Sequence, residues 1–185
     1  MKLLHKLALW SETKSSWAVL FFTAWGLQIA VLYFQYGMGL EPCIMCIYQR
    51  VAVYGIVVSA LLVLLVNNVV TRVIGLIGWA VSAGWGFAIA REHVGILNNS
   101  NPFVTTCEFV PNFPSWAPLH EWVPVLFEAK GLGDEDTWQF LSMGMADWMR
   151  IRFGLFTILL LFTLGDASKA NQVELQGTEY TEKSH

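Results

Sequence analysis

Four long apolar stretches, separated by polar or charged breaks, organise this chain. The first, from Trp17 to Phe34, carries no charge and is interrupted by polar groups only at Thr23 and Gln28, with Trp17 and Tyr33 near its ends. Such a run is long enough to cross the hydrocarbon of a bilayer as a helix. A second span covers residues 46–66, with its one charge, Arg50, close to the start and Asn67 and Asn68 at its end. The third, residues 73–90, is bracketed by Arg72 and Arg91 and contains Gly75, Gly78, Gly84 and Gly86, small surfaces on which neighbouring helices can close. A fourth, residues 148–164, has Arg150 and Arg152 in its first turn and an apolar Phe153 to Leu164 segment behind them. The pattern predicts an all-α membrane protein, a four-helix transmembrane bundle occupying residues 1–168.

The connections differ in kind. Residues 35–45 form a short loop and residues 91–147 a long one that holds all but one of the chain's prolines. Within the long loop Trp116, Trp122 and Phe127 are spaced through Pro114 to Ala129, as expected of a segment lying partly on a membrane surface. Residues 169–185 have little apolar content and no helical stripe, so disorder is expected there. Lys2, Lys6 and Lys14 precede the first span, whereas the short loop has no basic residue and carries Glu41. The positive-inside tendency then places both termini in the cytoplasm and both loops on the opposite, periplasmic face.

Composition sharpens the class. Of 185 residues, 55% are hydrophobic and only 14% charged, and nine are tryptophans that suit the water–hydrocarbon boundary. The net charge of -3 offers no basic field for nucleic acid. The apolar run behind the basic N-terminal arm is too long for a secretory signal core, so a retained first helix is expected.

Three cysteines are too few for a stapled secreted scaffold, and an odd number leaves one thiol unpaired at any moment. Cys43 and Cys46 form a Cys-x-x-Cys pair behind Pro42, which suits a helix start where backbone amides favour the thiolate. Arg50, four residues beyond Cys46, shares its helix face and cannot lose its charge. The motif alone fits a redox pair, a structural thiol pair or half a zinc site whose other donors would come from Cys107, His93 and His120. Arg50 also reads as an interfacial side chain reaching toward headgroups, His93 as an interfacial histidine after Arg91-Glu92, and Cys107 as an accessible loop thiol.

Read as one block, Glu41-Pro42-Cys43-Ile44-Met45-Cys46-Ile47-Tyr48-Gln49-Arg50 resembles the bacterial disulfide bond formation protein B family, DsbB. The resemblance extends through Glu92-His93, Asn101-Pro102-Phe103, Phe113-Pro114-Ser115-Trp116-Ala117-Pro118-Leu119, Trp122-Val123-Pro124 and Trp138-Gln139-Phe140-Leu141 to Trp148. It implies a multi-pass protein of the bacterial inner membrane that reoxidises a periplasmic DsbA-like thiol oxidase of thioredoxin fold and passes electrons to a quinone, ubiquinone or menaquinone. It further implies that Cys43 and Cys46 are the redox pair, with Cys46 nearest the quinone, and that Arg50 and His93 are quinone neighbours. Cys107 takes the place of the loop cysteine that meets the soluble partner. A fourth family cysteine in that loop is replaced here by Gly133, and Gln49 stands where glutamate is common. Three alternatives remain beside this reading: a divergent relative that binds quinone or traps a thiol partner without efficient turnover, a reductase resembling vitamin K epoxide reductase, and a metal-handling protein.

Overall fold

The computed structural model describes residues 14–98, 110–131 and 138–182, with side chains described through Gly165. Helix α1 spans Lys14–Tyr36 and buries Trp17, Leu20, Ala24 and Gln28. Those positions recur every three or four residues, the spacing of one helical face. Helix α2, Ile44–Leu65, is the central helix, packing on α1 and on α3, Val69–Asn98. Two short helices, α4 (Leu119–Trp122) and α5 (Pro124–Phe127), interrupt the long connection. Residues Gln139–Phe140 (β1) and Met143–Gly144 (β2) pair as an antiparallel hairpin, and α6, Met145–Glu182, returns against α3. Four of these helices, α6 through its Met145–Gly165 segment, are long and apolar enough to cross a membrane. The four-helix bundle expected from hydropathy is therefore the observed architecture.

Packing between the helices rests on small residues meeting large ones. A Cβ added at Gly75 would press on Val63, one at Gly78 on Ser59, and one at Gly86 on the ring of Phe153. Lipid supplies no hydrophobic drive between helices, so this close contact is what holds α3 to α2 and α6. Trp17 meets Trp79 edge-on, with centroids 6.1 Å apart, which ties α1 to α3 across the same core.

Element ends depart from the sequence expectation where hydropathy is silent. Helix α3 starts at Val69 because Asn68 caps it, its Oδ1 accepting the Thr71 amide at 2.7 Å. It continues to Asn98, so residues 91–98, read as loop, are helical; Arg91 and Glu92 are exposed there and nothing in the segment breaks a helix. Helix α6 begins at Met145, inside the predicted loop, and its backbone stays helical to Glu182, past the point where disorder was expected. The Lys169-to-Gln176 stretch is rich in residues of high helix propensity and has no proline. Helix formation there needs no apolar stripe once α6 has supplied the nucleus.

The described part of the long connection folds back over one end of the bundle as a strap, residues 110–131. The Pro42 carbonyl accepts the amides of Lys130 and Gly131 at 3.0 and 3.1 Å, Tyr36 Oη donates to the Val125 carbonyl at 2.6 Å, and the Asn112 amide donates to Tyr48 Oη at 2.7 Å. Gly131 can lie there because a Cβ would come within 2.6 Å of the Glu41 carbonyl oxygen. Trp116 and Trp122 are 79% and 62% exposed, consistent with a surface-lying segment, but Phe127 turns inward against Tyr54 and Phe113. The hairpin joins the same end: Phe34 of α1 lies 5.1 Å from Trp138, and Trp148 Nε1 donates to the Phe140 carbonyl at 3.1 Å.

Candidate functional site

Directly behind Pro42, Cys43 is extended and caps α2, its Sγ accepting the Cys46 amide at 3.3 Å. One turn brings the two sulfurs to 2.8 Å, against the roughly 2.05 Å of a formed disulfide. Neither is joined in a disulfide, and small motions suffice to join or part them. Cys43 is buried, whereas Cys46 is partly open and lines a cleft that opens to the surroundings, about 420 Å³ with its open mouth included.

Arg50 stands in that cleft, one turn below Cys46, as the sequence register predicts. It is only 2% exposed, which overturns the headgroup-reaching alternative. Its Nη1 donates to the Leu126 carbonyl of the strap, while Nε and Nη2 are buried with no hydrogen-bond partner among the described residues. Buried guanidinium donors without partners are costly, and an acceptor group entering the cleft would satisfy them. Leu27, Val31, Val53 and Met149 make the remaining wall apolar.

His93, one turn beyond Ala90, reaches the same place from α3. Its Nε2 lies 3.7 Å from Cys43 Sγ and its Nδ1 3.5 Å from Gln49 Nε2. The interfacial reading of His93 thus gives way to a buried position against the thiol pair. The Cys43 thiol is pushed well above its usual range, first by the hydrogen bond it donates to the Cys46 sulfur and then by burial; His93 works in the opposite direction. Cys43 is accordingly the protonated member of the reduced pair.

Two glutamines complete the site. Gln28, a polar interruption in the first span, is buried and donates to the Arg50 carbonyl at 2.8 Å. Gln49 is 1% exposed. A lone amide inside an apolar span marks a polar contact in the interior, but hydropathy does not say with which partner.

Of the donors considered for zinc, His93 joins Cys43 and Cys46, the three donor atoms lying within 4.8 Å of one another. His120 instead stacks on Phe113 in the strap, with centroids 5.8 Å apart. A tetrahedral site needs a fourth donor, and the Arg50 guanidinium lining the same cleft as Cys46 is a positive charge that disfavours a cation nearby. The cluster therefore suits thiol chemistry better than metal ligation. Cys107 and Gly133 lie outside the described residues.

Comparison with known proteins agrees over almost the whole chain. The family described as "Disulfide bond formation protein DsbB" matches residues 13–163. A protein named disulfide bond formation protein B from Pseudoalteromonas atlantica is 44% identical over 162 residues, covering 88% of this chain and 95% of that relative. One of the same name from Shewanella sp. is 44% identical over 167 residues, covering 89% and 95%. Another, from Psychromonas ingrahamii, is 42% identical over 152 residues, covering 82% of each chain.

Proposed function

The chain belongs to the disulfide bond formation protein DsbB family, and from that membership we propose that this membrane oxidoreductase takes electrons from a periplasmic DsbA-like dithiol protein and delivers them to a membrane quinone. The observation that carries the reading is the juxtaposition of a closable thiol pair with a cleft whose buried guanidinium has donors to spare. Ubiquinone and menaquinone both offer what the cleft asks for: an apolar ring with carbonyl acceptors. When bound, a quinone supplies a two-electron, two-proton acceptor. Arg50 would hold a ring carbonyl and stabilise the Cys46 thiolate, Leu27, Val31, Val53 and Met149 would enclose the ring, and His93 would stand at its edge.

The chain's own part is thiol exchange. With Cys43 and Cys46 joined, the Cys107 thiolate attacks Cys43 and displaces Cys46 as a thiolate beside Arg50. A partner thiolate next attacks Cys107, releasing Cys43, and the partner's second thiolate closes the partner disulfide and frees Cys107. The partner loses two electrons and the Cys43–Cys46 pair gains them. Gly133 in place of a second loop cysteine means that Cys107 has no loop partner within the chain, so it shuttles singly. Turnover slower than in four-cysteine relatives follows.

Lys2 and Lys6 before α1, Lys14 at its first position and Glu41 after it support cytoplasmic termini and a periplasmic thiol pair in the inner membrane. Purified protein given reduced partner and excess quinone is expected to oxidise many equivalents of partner, and Cys107→Ser to abolish this. Oxidation of no more than one equivalent would establish the non-turnover alternative, and unchanged turnover in the mutant would remove Cys107 from the route.

Arg50→Met keeps the volume but removes the donors. The quinone KM should rise tenfold or more, about 1.4 kcal/mol of lost binding. Arg50→Lys should recover only part of it, because an ammonium lacks the planar fork.

A further inference from the structure

Closing a disulfide removes a proton from each thiol, and Cys43 is the member that holds its proton most firmly. A base must therefore reach it. Few groups face it. On its own helix Cys46 is the reaction partner and Arg50 is permanently protonated. Lys130 and Glu128 of the strap pair with each other at 3.3 Å and are half exposed. Tyr36 of α1 already donates to the Val125 carbonyl. Asp147, at the start of α6, is bound to Arg150 at 3.0 Å. Glu41, next to Pro42, is exposed. Among the described residues, His93 alone presents a buried basic atom to the Cys43 sulfur, at 3.7 Å.

The other ring nitrogen is what decides whether His93 can act. A neutral imidazole accepts through one nitrogen and donates through the other, and the partner of the second selects which. Gln49 is that partner, at 3.5 Å and 1% exposed, so water does not compete for the position. An amide presents its N–H or, after a half-turn, its carbonyl, and so can match either tautomer. A carboxylate accepts only.

We propose that Gln49 is a positioning residue that holds His93 Nε2 against Cys43, and that His93 takes up the Cys43 proton when the pair is oxidised and returns it when the pair is reduced. In the oxidising direction the S–H bond of Cys43 breaks, its proton goes to Nε2, and the thiolate electrons form the bond to Cys46. Two electrons leave to the quinone-class acceptor in the cleft, which takes its protons from water, and His93 keeps the Cys43 proton as an imidazolium. In the reducing direction the freed Cys43 thiolate recovers a proton from the imidazolium, while the amide of Gln49 turns to suit the tautomer left behind. This rests on the thiol-oxidase reading and adds to it a defined proton path.

The test uses the fully reduced full-length protein without quinone or partner, so it stands or falls apart from turnover. The alkylation rate of Cys43 is followed against pH by peptide mass, and the His93 tautomer by nitrogen NMR. His93→Phe should raise the Cys43 midpoint by about one pH unit or more and leave that of Cys46 in place. Gln49→Leu should shift it in the same direction by less and mix the tautomers. Gln49→Glu should return the midpoint to the wild-type value or below, with the proton held on Nδ1. An unmoved Cys43 profile in His93→Phe, or an unchanged tautomer in Gln49→Leu, overturns the proposal. If Gln49→Leu does not fold, Gln49→Glu decides: an Nδ1-protonated histidine with a Cys43 midpoint at or below wild type sustains it, and an Nε2-protonated histidine or a raised midpoint overturns it.

Discussion

Replacing Cys46 with serine is expected to lower quinone-linked oxidation of the thiol partner by roughly 10³-fold or more. Serine preserves the size of the side chain, but its hydroxyl neither ionises near neutral pH nor forms a bond to the Cys43 sulfur. The loss is chemical, and the helix start is untouched because the N-cap contact uses the Cys46 amide and the Cys43 sulfur. Cys43→Ser should abolish turnover equally, since a disulfide needs both sulfurs. The two variants differ in what remains: Cys43→Ser keeps the Cys46 thiolate in the cleft with Arg50, whereas Cys46→Ser keeps only the thiol packed against His93. Steady-state oxidation of reduced partner, with unfolding temperature as a control for folding, measures both. Residual activity above a tenth of wild type in either variant would contradict the assignment of the pair.

The second large effect concerns the fold. Gly86→Leu is expected to prevent stable folding, and Gly86→Ala to cost about 1–3 kcal/mol, because a Cβ at Gly86 would overlap three ring carbons of Phe153. Phe153 is 1% exposed and lies in the core with Ala83 and Ala90, so the ring has no free volume to enter. Small residues at 83, 86 and 90 form one stripe of α3, the surface on which α6 rests. Gly84→Ala is the matched control, since nothing lies within 4 Å of a Cβ there. Thermal unfolding in detergent should show a clear loss for Gly86→Ala and a near-neutral or favourable result for Gly84→Ala. Equal behaviour of the two would mean that α3 and α6 do not meet as described.

Much of this was legible in the chain itself. Hydropathy is a sum over neighbours in sequence, so four spans, their order and the short and long connections could be read from residues alone, and the family resemblance rested on contiguous blocks. The Cys43–Cys46–Arg50 register was equally local, because a helix places residues four apart on one face. Ends were less legible: α3 runs on to Asn98 and α6 to Glu182 because helices continue through polar residues that no hydropathy window favours.

What the sequence by itself determined is a four-span membrane oxidoreductase of the DsbB family with a thiol pair at the head of its second long helix. What only the tertiary structure decided is which side chains face that pair: His93 and Gln49 meet across 44 positions, Gln28 reaches the Arg50 carbonyl across 22, and Arg50 binds the strap at Leu126 across 76. The first two of these contacts depend on the rotation of one helix about its axis against another, and the third on where the strap crosses α2. That rotation is set by where glycine and alanine let the helices close, and no pattern along a single helix encodes it.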